Sequence, residues 1–418
     1  MERTTCLVVG GGPAGMVLGL LLARGGVEVT VLEKHGDFLR DFRGDTVHAS
    51  TLTLLDELGL GPAFEQVPHQ DVDRMEALLA GGAKATIADL SRLPGPNKRI
   101  AMVPQWDFLD LLADAGRLEP AFTLRMNTEV TAITKSGNRV TGVKYRDRVD
   151  GHEGEYAADL VVAADGRSSI LRAAVELPVY SFGAPMDVWW FRLPRKEGDS
   201  IKGGAGRFSA GSGLVLIPRG DYFQCAFLIR KGTDRAVRAE GVEKFRDRVV
   251  TLVPWLADRV HHITDLDEVK LLDVKLDRLR RWHVDGLLCI GDAAHAMSPV
   301  GGVGINLAVQ DAVAAATLLA KPLREGRVTS ATLAKVRGRR LFPTVVIQTV
   351  QRVIHRLFLG RKLSSTATVS RAGVPLPLKI AQKLPFLQVI PAYVVAIGPR
   401  PEHAPDFARR EPQTIVRS

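Results

Sequence analysis

Residues 5 to 15 read TCLVVGGGPAG, and this stretch decides the fold. The apolar run 5–9 predicts a β-strand, residues 14–24 predict a helix, and residues 27–32 predict a second strand. A G-x-G-x-x-G sequence between such a strand and helix is the fingerprint of a Rossmann unit, which binds dinucleotides. The sequence therefore predicts an α/β fold that begins with a Rossmann-like nucleotide-binding domain.

The glycines and one acid of this unit each have a physical role. Gly10 allows a tight turn, Gly12 admits a pyrophosphate, and Gly15 lets the helix and the strand pack closely. Glu33 closes the second strand, where its carboxylate can hold ribose hydroxyls and would repel a 2′-phosphate. Because strand, helix, second strand and acid all occur in order, a merely tight turn does not explain the pattern.

Two later stretches place an acid and glycines after an apolar run. Residues 160–164, LVVAA, lead into DGRSSILR at 165–172, where the serines and Arg172 can cap a helix and add positive charge. Residues 286–290, GLLCI, lead into GDAAHAMSPVGGVGINLAVQD at 291–311, where a glycine-rich turn precedes a helix. Such a turn brings bare N–H groups and a positive helix N-terminus against a flat, electron-accepting ligand.

Taken in this order, the three blocks resemble the single-component FAD-dependent aromatic hydroxylases of the para-hydroxybenzoate hydroxylase type, the class A flavoprotein monooxygenases. The resemblance covers residues 1–340 in organisation, and its motifs are confined to the three blocks. It implies FAD as the cofactor and NADPH or NADH as a transient co-substrate. It further implies that O2 hydroxylates an aromatic small molecule, phenolic or polyketide-like, through a flavin C4a-hydroperoxide.

The resemblance also implies which residues bind the cofactor. These residues are Gly10, Gly12, Pro13, Ala14, Gly15, Glu33, Lys34, Arg43, Gln105, Asp165, Gly291, Asp292, Pro299, Gly301, Gly302, Val303, Gly304, Ile305 and Asn306. Arg43 would lie near the FAD phosphates and the flavin, Gln105 near the linking chain, and Asp165 near the path of the reduced nicotinamide. Asp292 would bind the ribityl or pyrophosphate region, and residues 299–306 would lie against the isoalloxazine. No catalytic residue and no metal ligand is assigned.

The whole chain predicts an α/β protein with three parts: a Rossmann-like FAD-binding domain, an inserted and mostly antiparallel β-sheet substrate domain, and a helical C-terminal region. Strand-like runs at 187–193, 222–229 and 269–279 predict the inserted sheet. The predicted parts are the FAD-binding domain at 1–70, 97–177 and 281–340, the sheet domain at 71–96 and 178–280, and the C-terminal segment at 341–418.

Three large side chains near these motifs invite a catalytic or substrate-binding role. His295, in the GDAAH sequence, is expected to be structural and bonded within its loop rather than a catalytic base. Trp189 and Trp190 adjoin in a strand whose side chains alternate between faces, so at most one of them can line a pocket. Neither tryptophan is assigned to the site.

Composition is that of an ordinary globular protein, with 46% hydrophobic and 24% charged residues among 418. The net charge of +10 comes from scattered basic residues without a binding motif, so we expect it to attract anionic cofactors and not nucleic acid. Cys6, Cys225 and Cys289 lie far apart in apolar segments, which indicates core residues in a reducing compartment. With no signal peptide evident, the sequence predicts a cytoplasmic protein.

Other functions stay open at this point. One is an FAD-dependent reductase of isoprenoid or lipid double bonds, or a halogenase, although the halogenase sequence G-W-x-W-x-I-P is absent. Another is a non-catalytic flavin-binding protein that docks to a membrane. The apolar run 386–398, interrupted by Pro391, is short for a membrane span, so packing onto the body is favoured over membrane contact. A homodimer is compatible with the sequence.

Overall fold

A computed structural model describes residues 2–39, 46–78, 84–199, 205–209, 212–358 and 388–412. Arg43 and the first two residues of the apolar run 386–398 lie outside these ranges.

The strands are β1 Glu2–Val9, β2 Val29–Leu32, β3 Thr46–Val47, β4 Gln70–Val72, β5 Arg74–Leu78, β6 Lys84–Asp89, β7 Ile100–Met102, β8 Phe122–Arg125, β9 Thr128–Ser136, β10 Arg139–Asp147, β11 Glu153–Ala163, β12 Val179–Ser181, β13 Met186–Pro194, β14 Ala205–Ser209, β15 Ser212–Arg219, β16 Tyr222–Arg230, β17 Lys270–Leu272, β18 Asp277–Leu279, β19 His283–Val284 and β20 Leu287–Cys289.

Ten α-helices lie within the same ranges, together with short 3₁₀ turns. The helices are α1 Pro13–Arg24, α2 Ala49–Glu57, α3 Gly61–Glu65, α4 Gln105–Arg117, α5 Ile170–Ala174, α6 Asp234–Ala239, α7 Val242–Leu252, α8 Val303–Arg324, α9 Ser330–Phe358 and α10 Val389–Ala396. The 3₁₀ turns are Leu90–Arg92, Pro254–Leu256, Val260–His262, Leu266–Glu268, Gly291–Ala293, Val300–Gly302 and Asp406–Ala408.

The first sheet has the strand order β19-β20-β11-β1-β2-β8, with β10 and β9 attached beside β11. The neighbours β20, β11, β1, β2 and β8 are all parallel. Their apolar runs are buried because α1, α8 and other elements cover the sheet, and the whole of β2 is buried. The carboxyl ends of β1, β2, β11 and β20 therefore lie at one edge, where an open parallel sheet binds its ligands.

The second sheet has seven strands in the order β17-β13-β16-β15-β14-β5-β6 and is antiparallel except between β14 and β5. One face packs against α7, where Phe245 meets Phe191 and Phe227 edge to face. Such pairs favour a fixed packing of the helix on the sheet. The α/β class with a mostly antiparallel second sheet agrees with the sequence prediction.

The segment 71–96, which the sequence analysis assigns to the sheet domain without predicting strands in it, contains β5 and β6, which extend the second sheet beyond β14. One local feature differs from the sequence prediction. The predicted strand 269–279 is interrupted, because the Val274 N–H donates to the Asp187 carboxylate at 3.0 Å instead of to a neighbouring strand. Its end, β18, pairs with β12 in a separate two-stranded sheet.

The described C-terminal residues pack on the body of the protein. Ala392 and Ala396 of α10 are buried against Ala49, Val72 and Ile100. Further along, Glu402 is buried and bonds Arg339 at 2.6 Å, and the Ala404 N–H donates to Glu57 at 2.7 Å. This supports packing as the favoured interpretation for the described part of the tail.

One stretch among the described residues, Val300–Arg324, is long and apolar enough to cross a membrane, with a mean hydropathy of 1.5. However, 78% of its most apolar window is buried inside the protein. The helix in this stretch, α8, packs on α1 beside the first sheet. It is therefore a core helix of the fold.

Candidate functional site

The three sequence blocks meet at the carboxyl edge of the first sheet. A Cβ added to Gly10 would lie 2.4 Å from the Ala164 carbonyl oxygen, so the first glycine turn touches the end of β11. A Cβ added to Gly291 would lie 3.3 Å from the Cβ of Ala14 and 3.1 Å from that of Ala308. Only glycine backbone allows these close approaches, which form one crevice from segments far apart in the chain.

The N-terminus of α1 opens into this crevice. Gly12 caps the helix without any side-chain hydrogen bond, and Pro13 occupies the first turn. A Cβ built on Gly12 meets no atom within 4 Å, whereas one on Gly15 would lie 1.9 Å from the Gly10 carbonyl oxygen. Gly15 thus serves packing, while Gly12 borders free space. The first N–H groups of an α-helix have no partner within the helix, so this positive helix end, from Ala14 onward, suits an anionic group.

Glu33 lies beside the same turn and is only 9% exposed. Its Oε2 accepts the Gly11 N–H at 2.9 Å, and its Oε1 accepts the His35 N–H at 3.1 Å. These bonds orient the carboxylate at the end of β2. Lys34 follows it, but it is exposed, and its carbonyl oxygen accepts a bond from Arg148 at 3.3 Å.

Two acids stand at the ends of the neighbouring strands. Asp165 accepts the Leu171 N–H at 3.4 Å through Oδ2, but its buried Oδ1 has no hydrogen-bond partner in the described part of the chain. Burial raises the pKa of Asp165 above its usual value. Asp292 is partly exposed and pairs with Arg167 at 3.2 Å. The orphan carboxylate oxygen of Asp165 is a position where a ligand donor would fit.

Residues 299–306 are here called the flavin loop, after the ligand that the resemblance implies for them. They comprise a turn with left-handed glycines and the first residues of α8. Gly301 and Gly302 have φ values of +83° and +64°, which side chains rarely adopt. A Cβ on Gly302 would also lie 2.6 Å from the Thr46 hydroxyl, which donates to the Gly302 carbonyl at 3.0 Å. Helix α8 starts at Val303 without a side-chain cap. The N–H groups of its first turn, including those of Gly304 and Ile305, are thus not used by a capping side chain.

The side chain of Asn306 has a structural task. Its Oδ1 accepts from the hydroxyls of Ser50 at 2.8 Å and Thr51 at 2.7 Å, and the residue is 5% exposed. These bonds fasten the start of α8 to α2. The Oδ1 of Asn306 is therefore used within the protein, which narrows the role that the sequence suggested for this side chain.

Pro299 and Gln105 are two further residues that the sequence predicts to bind the cofactor. Pro299 starts the flavin loop, and the Gly302 N–H donates to its carbonyl oxygen at 3.0 Å. Gln105 begins α4 directly after β7, in which Met102 pairs with Thr46. Gln105 thus follows a strand partner of Thr46 by three residues, and its contact with a cofactor stays a prediction.

Helix α9 holds the flavin loop through residues that the sequence analysis did not single out. The Gln351 side chain accepts the Ser298 N–H at 3.2 Å and donates to the carbonyls of Ser298 at 2.8 Å and Val300 at 2.9 Å. His355 lies 2.9 Å from the Ser298 hydroxyl. Gln348, Gln351 and His355 are spaced by three and four residues, so they lie on one face of the helix. This row of polar side chains was the sequence signal that the face contacts polar backbone groups.

His48 is another residue near the flavin loop that the sequence analysis did not single out. It is completely buried, and its Nδ1 lies 2.7 Å from the Val395 carbonyl oxygen. On its other side, a Cβ added to Gly302 would lie 3.4 Å from its Nε2. Burial lowers the pKa of His48 to about 4, so the ring is neutral at physiological pH.

His295 is structural, as expected, but its partner lies outside its own loop. Its Nε2 is 2.5 Å from Asp311 Oδ2 on α8, and both residues are buried. Arg340 of α9 bonds the other oxygen of Asp311 at 3.1 Å and Glu402 at 3.3 Å. This buried network connects the GDAAH sequence to the C-terminal segment.

The crevice fits an extended dinucleotide with a flat ring at its far end. The uncapped α1 suits a pyrophosphate, Glu33 suits a ribose, and the uncapped α8 at the glycine turn suits a ring that carries negative charge. Asp165, with its orphan Oδ1, adjoins the first glycine turn, since a Cβ on Gly10 would lie 3.0 Å from its backbone nitrogen. No group of three or more His, Cys, Asp or Glu side chains suited to a metal occurs among the described residues. Fold and site together define a Rossmann-type dinucleotide-binding protein with a second, antiparallel sheet.

Comparison with known proteins identifies the family. A family model described as an FAD binding domain matches residues 3–350. The 6-methylpretetramide 4-monooxygenase of Streptomyces rimosus is 34% identical over 389 residues, which cover 92% of this chain and 90% of that protein. A 12-dehydrotetracycline 5-monooxygenase/anhydrotetracycline 6-monooxygenase of the same species is 28% identical over 327 residues, but these cover 74% of this chain and only 61% of the relative.

A solved structure agrees on the fold. The p-nitrophenol 4-monooxygenase PnpA of Pseudomonas putida DLL-E4 matches with a TM-score of 0.75 at 18% identity, covering 93% of this chain and 99% of that one. The chain belongs to the FAD-binding-domain family of class A flavoprotein monooxygenases, as the resemblance implied, and is an enzyme that uses FAD. These relatives favour a monooxygenase over a double-bond reductase and over a non-catalytic flavin-binding protein.

Proposed function

We propose that this enzyme hydroxylates an aromatic polyketide, with O2 as oxidant and NADPH or NADH as transient reductant. The observation that carries this proposal is the 34% identity to 6-methylpretetramide 4-monooxygenase over 90% of the length of that relative. Tetracycline-type names among further relatives support the same substrate class. A single dinucleotide fingerprint in the sequence supports a nicotinamide that binds only transiently.

In this proposal the ADP part of FAD binds at the first glycine turn and the flavin at the flavin loop. The residues that would hold the cofactor are Gly10, Gly12, Pro13, Ala14, Gly15, Glu33, Lys34, Arg43, Gln105, Asp165, Gly291, Asp292, Pro299, Gly301, Gly302, Val303, Gly304, Ile305 and Asn306. The free space beside Gly12 and the oriented carboxylate of Glu33 support the ADP end. The exposed side chain of Lys34 gives that residue the weakest support.

When bound, FAD supplies hydride acceptance from the nicotinamide and activation of O2 for transfer to an electron-rich ring. The N-terminus of α8 would stabilise negative charge on a ring bound against it, through N–H groups and the helix dipole. Gln351 and His355 hold the flavin loop at a defined position relative to the substrate. In this proposal the same contacts limit the opening of the loop. This matters for the reaction, because water in the site would divert oxygen to hydrogen peroxide.

We further propose that the second sheet covers the substrate, with the domain boundaries given by the sequence analysis. The contact between its apolar face and Val300 of the flavin loop supports this arrangement. A cytoplasmic location is proposed for the enzyme, and it is supported by the three buried, free cysteines. Burial raises the thiol pKa of Cys6 to about 12, which keeps this thiol protonated and unreactive.

Substrate-stimulated consumption of the reductant tests the proposal. The purified enzyme with FAD is supplied with NADH or NADPH in the presence of 6-methylpretetramide, anhydrotetracycline or simple phenols. We expect that a polyketide, but not a simple phenol, accelerates NAD(P)H oxidation and gains one oxygen atom by mass spectrometry. Acceleration by none of these compounds, with FAD bound, would overturn the proposal.

A further inference from the structure

Two adjacent tryptophans of β13 face opposite sides of the second sheet. Trp189 is completely buried on the α7 side, where its ring packs edge to face on Phe245 at 5.1 Å. Its indole N–H donates to Asp234 Oδ1 at 2.7 Å. Trp190 lies on the opposite face, as the alternation of side chains along a strand requires. Trp189 is therefore part of the core, and Trp190 belongs to the face that looks toward the flavin loop.

Small side chains lie beside Trp190 on this face. Trp190 is in register with Ala226, Ala226 with Val215, and Val215 with Gly206, on four successive strands. The three spacings between these strands extend over about 14 Å. A large ring thus stands at one end of a row of smaller residues, Ala226, Val215 and Gly206, and this row is here called the trough.

The same trough adjoins the flavin loop. Trp190 is partly buried in an apolar cluster with Val188, Leu228 and Val300. Val300 directly precedes Gly301, which the proposed function places beside the flavin ring. Trp190 and Val300 thus pack against the same apolar cluster on the face of the second sheet.

The indole N–H of Trp190 is buried but has no hydrogen-bond partner among the residues that the structure describes. A buried donor without an acceptor costs about 1–3 kcal/mol, and buried tryptophans usually find a partner. Phenylalanine would fill the apolar cluster without this cost. Trp189, by contrast, has its acceptor in Asp234. The unused donor therefore indicates an acceptor that arrives with a bound molecule.

We propose that the Trp190 indole N–H donates a hydrogen bond to a carbonyl or phenolate oxygen of the aromatic substrate lying in the trough of Ala226, Val215 and Gly206. This inference rests on the proposed function and names a residue that positions the substrate. The bond fixes which edge of the planar molecule faces the flavin loop, so Trp190 contributes to affinity and to the position of hydroxylation.

Substrate binding to two matched tryptophan variants tests this inference. Trp190→Phe removes the N–H and keeps an aromatic ring, whereas Trp255→Phe makes the same change at a residue that is 40% exposed and packs on Phe223 of the other face. The dissociation constant of 6-methylpretetramide is measured on the FAD-loaded enzymes from the change in flavin absorbance. We expect W190F to bind about tenfold more weakly, with FAD content and thermal stability retained, and W255F to match the wild type.

The other outcomes contradict either the role of Trp190 or the proposed function, and they can be told apart. If the wild type hydroxylates the compound and W190F binds it within about twofold of the wild type, the role of Trp190 is wrong and the proposed function stands. If W190F loses FAD, the residue supports the flavin loop and not the substrate, which also overturns the inference. If the wild-type enzyme with FAD neither binds nor oxidises any aromatic polyketide, the proposed function fails and the inference fails with it.

Discussion

His48 Nδ1 lies 2.7 Å from the carbonyl oxygen of Val395, and this contact fastens the C-terminal helix α10 to the segment that precedes α2. The other ring nitrogen faces Gly302 of the flavin loop. One buried, neutral ring therefore lies between the C-terminal helix and the loop that is proposed to hold the flavin. Because the ring has no access to water, its protonation is coupled to the stability of both contacts.

The first prediction concerns pH. Burial lowers the pKa of His48 from 6.5 to about 4, so the unfolded chain binds a proton there before the folded protein does. The contribution of neutral His48 to the unfolding free energy is complete above pH 6.5 and decreases as the pH falls toward 4. Between pH 7 and pH 4.5 we expect His48 to account for about 2 kcal/mol of lost unfolding free energy. His48→Asn can still donate to Val395 but does not titrate, so denaturant unfolding of the FAD-loaded variant should lose less stability. Equal losses in both proteins would exclude this role.

The second prediction concerns the proposed pyrophosphate position. Gly12→Ala adds a methyl group where the protein itself has no atom within 4 Å, and its φ of −75° is allowed for alanine. We therefore expect unchanged folding but at least about tenfold weaker FAD binding in a fluorescence titration, because the methyl group meets the phosphates. Gly338→Ala is the control, since this exposed glycine of α9 also has free space around it. Equal FAD affinity in both variants would place the pyrophosphate elsewhere.

The third prediction separates stability from cofactor binding at Asp165. Burial raises the pKa of this carboxyl group, so its charge costs stability at neutral pH, and the cost decreases as the pH falls through the raised pKa. FAD-free Asp165→Asn should therefore unfold at the same or a higher denaturant concentration than the wild type. Loss of the charged acceptor should weaken FAD binding about tenfold. Asp159→Asn, at an exposed acid, provides the comparison. Unchanged FAD affinity of D165N would remove Asp165 from the site.

The fourth prediction concerns the support of the flavin loop by α9. Gln351→Leu has a similar volume but leaves the carbonyls of Ser298 and Val300 without their side-chain donor. We expect FAD to remain bound while the ratio of hydrogen peroxide formed to NAD(P)H consumed increases, because a looser loop admits water. Thr349→Ala, an exposed position of the same helix, should leave this ratio unchanged. A tightly coupled Q351L enzyme would show that α9 does not restrain the loop.

The sequence predicts best those parts of the fold that depend on neighbouring residues. The unit β1–α1–β2 was predictable because the apolar runs, the glycine turn and Glu33 lie within 30 residues and follow local rules. The strands β5 and β6 were not recognised. They are stable as strands because β5 pairs with β14, which lies far along the chain, and strand preference depends on such partners.

The same distinction applies to the site. Glycines and acids at strand ends are visible in the sequence because their type and spacing carry the signal. His48, Ser50, Thr51 and Gln351 act by touching the flavin loop or α8 from elsewhere in the chain. Their types are common in helices and turns, so only the tertiary contacts reveal their role. The choice between Trp189 and Trp190 likewise needed the position of α7, because alternation alone does not say which face is the core.

A single turnover with labelled oxygen tests the central claim most directly. The FAD-loaded enzyme is reduced anaerobically with NADH or NADPH, then mixed with 6-methylpretetramide and oxygen-18 gas, and the product is analysed by mass spectrometry. A flavin-dependent monooxygenase for aromatic polyketides should give a product with one oxygen-18 atom. A product that carries oxygen from water, that gains two hydrogens instead, or that does not form at all would contradict the account.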